Sequence, residues 1–200
     1  MDKSNRNDTN PTLRSDADMG PAIAVLELCS VARGVEVADA ILWESDIELL
    51  VATPVQPGKY VMLFTGGVED LESAMARGRE MARDDLVDEL LIPNVHPQVE
   101  MGLRREGQIN GQIDALGVVE TRTVSSAILA ADASLKRATI DLLELRIANG
   151  LGGKSFYSLT GEVSDVRSSV TAGADIAEQR GHLARDVVIP RPHPDLVRHL

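Results

Sequence analysis

The chain has 200 residues, 44% of them apolar and 26% charged, with a formal net charge of −11. That balance is ordinary for a globular protein, and the acidic excess excludes nucleic acid, whose binding rests on Lys and Arg neutralising phosphates. Aromatic residues make up only 2%, so the core is expected to be thin layers of Ala, Val, Leu and Ile, with further burial between domains and subunits.

Residues 1–21 are polar and lack the apolar stretch of a signal peptide, and read as a disordered tail. Ala22–Leu28 is predicted as a strand and Val31–Glu44 as a helix; Ile47–Thr53 and Lys59–Thr65 are strands flanking a short loop. A second helix starts at Val68, with the stripe Val68, Leu71, Met75, Gly78 and Met81, and Leu86–Ile92 is a final strand. The segment 98–114, with Gly102, Gly107 and Gly111, reads as a linker. Then the pattern starts again. Strands are predicted at Ala115–Thr121, Ile140–Ala148, Ser155–Gly161 and Leu183–Ile189, with helices at Val124–Ala138, where Thr123 can cap, and from Val163. No run is long enough to span a membrane.

The second round repeats the first at an offset of 93 residues, from Ala22/Ala115 through Leu49-Leu50/Leu142-Leu143. The offset becomes 95 at Gly58-Lys59/Gly153-Lys154, and 97 at Ile92-Pro93/Ile189-Pro190 and His96-Pro97/His193-Pro194. Each change of two falls in a loop, which marks a duplication. Two copies are too few for a solenoid. The order β-α-β-β-α-β gives an α+β, ferredoxin-like unit at 22–97 and another at 115–200. Residues 22–97 hold 14 acidic against 5 basic side chains, whereas 115–200 hold 10 of each. The two units therefore present different surfaces.

Few residues suggest chemistry. Ala148-Asn-Gly-Leu-Gly-Gly-Lys-Ser155 lacks the first glycine of a phosphate-binding loop and is followed by a strand-like stretch instead of the helix that motif needs. Cys29, the only cysteine, excludes an internal disulfide and reads as a small buried hydrophobe. His96 and His193 stand at equivalent places with no second ligand at zinc-like spacing, so no metal site is expected. No nucleophile–base–orienter set is present, so no catalytic residues are assigned.

Ala-Leu-Gly-Val-Val-Glu-Thr-Arg, Ala-Ala-Asp-Ala-Ser-Leu-Lys and Val-Ile-Pro-Arg-Pro-His in the second half resemble signatures of the bacterial microcompartment (BMC) shell domain, matched more loosely in the first half. The resemblance covers about 22–195, in unpermuted strand order, and is greatest to tandem-domain shell proteins. It implies a homotrimer that mimics a six-fold plate and tiles in a microcompartment shell in the cytoplasm, with hexameric tiles and pentameric vertices as partners. It also places the loop after the second strand at a pore for small polar metabolites. Carried onto this chain, the pore is lined by Val55, Gln56, Pro57 and Gly58 and by Asn149, Gly150, Leu151, Gly152 and Gly153.

Some tandem-domain relatives hold an iron–sulfur cluster through a cysteine in the first pore loop. Here that position is Gln56, and an amide cannot replace a thiolate, so no cofactor is expected. Cys29 is placed away from that loop. The family's tile-edge lysine and arginine match Lys136 and Arg191, with Trp43 and Asn94 in the same places of the first repeat; Trp43 could equally be packed within the trimer. The alternative from another class is a trimeric ferredoxin-like small-molecule sensor, which needs a pocket with anchoring charges.

Overall fold

A computed structural model describes residues 20–104, 113–148 and 150–199. Each repeat forms a four-stranded antiparallel sheet. In the first, β1 (Ile23–Leu28), β2 (Ile47–Val55), β3 (Lys59–Gly66) and β4 (Leu86–Ile92) lie in the order β2-β3-β1-β4. In the second, β5 (Ala115–Thr121), β6 (Asp141–Arg146), β7 (Ser155–Gly161) and β8 (Leu183–Pro190) lie in the order β6-β7-β5-β8. Ile23 pairs with Ile92, and Leu116 with Ile189. The offsets in the sequence are thus the same as the offsets in sheet register.

Two helices accompany each sheet, α1 (Val31–Glu44) and α2 (Val68–Ala82) in the first, α4 (Val124–Arg137) and α5 (Val163–Gln179) in the second. The strand-to-helix turns are set by hydroxyl caps: Ser30 Oγ accepts from Arg33 N and Thr123 Oγ1 from Ser126 N, both at 3.3 Å. Alternation along β1 sends Ala24, Leu26 and Leu28 towards α1 and α2, where they join Val37, Ile41, Leu71 and Met75.

The other face of β1 is also apolar, and α4 covers it. Ile23, Val25, Leu90 and Ile92 form one cluster with Val124, Ile128, Ala131 and Leu135, and α4 touches both β1 and β4. Helix α4 is therefore held between its own sheet and that of the first repeat. This explains why Val124, Ser125, Ser126, Ala127, Ile128, Ala130, Ala131, Asp132, Ser134 and Leu135 are all buried, whereas α1 buries only Gly34, Val37, Ala38 and Ile41.

Helices α4 and α5 meet closely at Gly173. A Cβ there would fall inside the van der Waals reach of Tyr157 Oη, Ser134 Oγ and the Ala130 carbonyl. Tyr157 Oη and Ser134 Oγ are hydrogen-bonded at 2.7 Å, and Ser134 Oγ donates to the Ser169 carbonyl at 2.8 Å. Overpacking such a contact costs about 1–3 kcal/mol. Gly173→Ala is therefore expected to lower the melting midpoint, and an unchanged midpoint by calorimetry would contradict this packing.

The stretch read as a linker begins with α3 (Pro97–Arg104). Val99 and Leu103 are buried in the core, Glu100 and Arg104 pair at 2.9 Å, and the helix lies against β6. Its three glycines suggested a loop, but Gly102 is where the helix approaches Leu142 and Leu145. A short helix α6 (Pro194–Val197) follows His193. Residues 1–19 of the expected 1–21 tail and 105–112 of the expected linker lie outside the described residues, as does Asn149, while the Pro21 carbonyl accepts from Val95 N at 2.7 Å.

Candidate functional site

The two loops carried over as pore-lining come together within one chain. Gly58 N donates to the Val55 carbonyl at 3.0 Å, closing the turn after β2, and Lys154 N donates to the Leu151 carbonyl at 3.2 Å before β7. A Cβ on Gly153 would lie 2.7 Å from Pro57 Cδ and 3.4 Å from the Gln56 carbonyl. Gly153 also has φ +86, so glycine is needed there twice over, for conformation and for room. Gln56, Pro57, Gly58, Gly150 and Gly152 are exposed and Leu151 half-buried, but Gly153, expected to line the pore, is buried against Pro57. Val55 corrects the expected lining. It is buried in the core, because alternation along β2 turns it inward.

The base of each loop is electrically balanced. Lys59 Nζ bonds Glu27 Oε1 at 2.8 Å, and at the equivalent place Lys154 Nζ bonds Glu120 Oε1 at 2.5 Å. The loop tips themselves carry amides and glycine backbone but no charge. Such tips offer hydrogen-bond donors and acceptors and no fixed charge.

Glu27 and Asp88 belong to a polar junction that sequence reasoning missed. Glu27 Oε2 accepts from Val124 N at 2.8 Å, placing a carboxyl at the N-terminus of α4. Burial nevertheless pushes this carboxyl above the usual range, against the opposing pull of Lys59. Asp88 accepts from Thr123 Oγ1, from Ser126 Oγ at 2.8 Å and from the Arg180 guanidinium, with His182 Nε2 at 3.8 Å. Burial alone would raise the Asp88 carboxyl, but the two hydroxyls and Arg180 outweigh it and hold it below the ordinary carboxylate value. The available signal was Glu27 inside an otherwise apolar strand, repeated at Glu120.

The residues assigned to tile edges occupy two places. Lys136 Nζ donates to Asp132 Oδ2 at 2.6 Å and to the Asn94 carbonyl at 2.5 Å, so this pair meets where the two repeats join. Asp132 Oδ1 also accepts from His96 N at 2.8 Å. Trp43 is 85% exposed, and Arg191, with φ +51, is exposed too.

Cys29 departs from expectation. It is exposed, and its thiol donates to Asp85 Oδ1 at 3.4 Å. Partial desolvation and the Asp85 carboxylate push the thiol upward from its usual range. The pairing of Leu28 with Tyr60 also brings Cys29 out at the same end of the sheet as the Gln56 loop, not at a distance from it. His96 Nδ1 accepts from Gln98 N and His193 Nδ1 from Asp195 N, which are equivalent turn-stabilising contacts. Lys154 leads into β7, so no helix N-terminus faces the glycine loop as a phosphate site needs. Among the described residues no group of three His, Cys, Asp or Glu is placed to hold a metal, and no helix is long and apolar enough to cross a membrane.

The paired sheets, the shared polar junction and the facing loops define a tandem α+β protein built for contact between like domains. The chain belongs to the BMC domain family, whose model matches residues 22–95 and 115–192. It is 37% identical to the bacterial microcompartment shell protein PduT of Citrobacter freundii, over 91% of this chain and 98% of that one. Against the single-repeat shell protein EutM of Escherichia coli K12 it is 37% identical over 84 residues, 42% of this chain and 84% of that one. A crystal structure of a microcompartment protein from Desulfitobacterium hafniense DCB superposes with a TM-score of 0.76 at 45% identity, covering 88% of this chain and 98% of that one.

Proposed function

We propose that the chain is a structural tile of a bacterial microcompartment shell and not an enzyme, working as a homotrimer whose six domains ring a central pore. One observation carries the trimer. Val31, Val35 and Leu42 on α1 are exposed, yet their equivalents on α4, Val124, Ile128 and Leu135, are buried against sheet one. On the receiving side, Leu90 is 4% exposed under α4, while its equivalent Val187 on sheet two is 41% exposed. The chain thus satisfies one docking contact internally and leaves both halves of a second one free. Repeating the internal contact head to tail makes a ring where its rotation closes, and three chains supply the six domains of the six-fold plate that the family resemblance implies.

Such a ring brings three Gln56 loops and three glycine loops around one axis. The uncharged rim suits small polar metabolites. The site does not fit an iron–sulfur cluster: the Gln56 loop has no thiolate donor, and the Cys29 thiol is turned to Asp85. The purified protein is expected to be colourless after anaerobic reconstitution with iron and sulfide; a charge-transfer band would refute this reading of the loop. Lys136, Asn94, Arg191 and Trp43 would lie at the plate's rim and meet neighbouring shell proteins, both hexameric tiles and pentameric vertices.

The test is mass and shape. Light scattering at micromolar concentration should return a trimer, and electron microscopy of overexpressed protein should show sheets or tubes one plate thick. A monomer or dimer would sink the proposal. Discrete trimers that bind a small molecule tightly and never tile would favour the sensor.

A further inference from the structure

The internal junction and the free one differ in charge. Within the chain, strand β4 contributes an acid, Asp88, and the turn after α5 contributes the bases Arg180 and His182. Moving each residue to its repeat equivalent gives the groups that would meet between chains. Asp88 becomes Arg185 on β8, His182 becomes Asp85 and Thr123 becomes Ser30. Arg180 becomes Arg83, Ser126 becomes Arg33, and Gly181 becomes Asp84.

We infer that Arg185 of one copy pairs with Asp85 of the next, so that the contact between chains exchanges the acidic and basic places of the Asp88–His182 pair within the chain, while Arg83 keeps the sign of Arg180. This rests on the trimer proposed above. Both groups can take the role: Arg185 is exposed and Asp85 half-buried on the single chain, and Asp85 already lies at the surface beside a cation, with Arg33 Nε 3.5 Å away, and accepts only a weak thiol hydrogen bond from Cys29. Arg185 would otherwise enter the junction beside Arg33 and Arg83 of the second copy, and burying it there without an acid is costly. Asp85, with Asp84 beside it, supplies that acid.

The exchange also gives specificity. Docking β8 on repeat two of a second copy instead would set Arg185 against Arg180 and His182, with Gly181 where repeat one has Asp84. Like charges so placed oppose docking. Repeats one and two are thereby made to alternate, and the acidic excess of residues 22–97 acquires a use at this contact.

A charge-swap series on the full chain tests the pairing. Arg185→Glu and Asp85→Arg should each raise the trimer dissociation midpoint by at least about thirtyfold, the weakening typical of a broken buried charge pair. The double variant should recover most of that loss, as read by sedimentation across a concentration series. Circular dichroism should show folded chains throughout. Either single variant trimerising as well as the unmodified protein would overturn the pairing, as would a double variant no better than its parents. A monomeric unmodified chain would instead sink the trimer itself.

Discussion

Val35→Lys should give a folded monomer, whereas Ile128→Lys, at the equivalent place in the second repeat, should unfold the chain. The two residues sit at the same point of α1 and α4, but Val35 is 55% exposed and Ile128 is fully buried. A lysine at 128 must bury an unpaired ammonium between two sheets. That costs several kcal/mol, a large part of the about 5–15 kcal/mol that holds a typical domain together. A lysine at 35 stays solvated on the single chain and becomes buried only when α1 docks on the Val187 face of a second copy. The same substitution therefore divides folding from assembly. Circular dichroism should report native helix content for Val35→Lys and its loss for Ile128→Lys, and light scattering should report the mass of one chain for the former. If Val35→Lys remains trimeric, α1 is not the docking element. If both variants unfold, the two repeats are not related as described.

Much of this was legible in the sequence because the repeat gives two readings of each element. Helix α1 was read at Val31–Glu44, as found, and β4 at Leu86–Ile92, as found. Its limits show at α3, where Glu100–Arg104 and Val99–Leu103 are spaced for one helix face, but three glycines in the same stretch argued for a loop. Val55 was misread because a motif assigns a loop as a whole, whereas strand alternation assigns each side chain. Cys29 was misread because residue type is a weak guide at a strand end, where one step decides between core and solvent. The polar junction lay beyond reach for a different reason. Asp88 and Arg180 are separated by 92 residues, and nothing local in either repeat says that they meet. Duplication helped least here, since the pairing is asymmetric: Asp88 has no acidic equivalent, and Arg185 stands in its place.

That junction should also set the chain's behaviour in acid. Asp88→Ala is expected to destabilise the fold by about 2–3 kcal/mol, the low end for truncating one partner of a buried charge pair. The low end applies because Arg180 keeps its bond to the Glu89 carbonyl and some contact with water. Thr123 Oγ1 still caps α4 in the variant, so the helix should survive while its anchorage to sheet one weakens. The pH dependence follows from the lowered Asp88 carboxyl. A carboxyl held below its unfolded value contributes stability that is fully present above that value, about 3.9, and lost as pH falls through the folded one. Glu27 acts with the opposite sign: its carboxyl is raised, so its ionisation costs stability as pH rises through and above the usual range. The unmodified protein should therefore lose stability in strong acid, and Asp88→Ala should flatten that limb while leaving the Glu27 limb in place. Urea melts across the acid range measure both. If the acid limb is equally steep in the variant, Asp88 is not the group that protons attack, and the junction between the repeats is held by something other than this carboxylate.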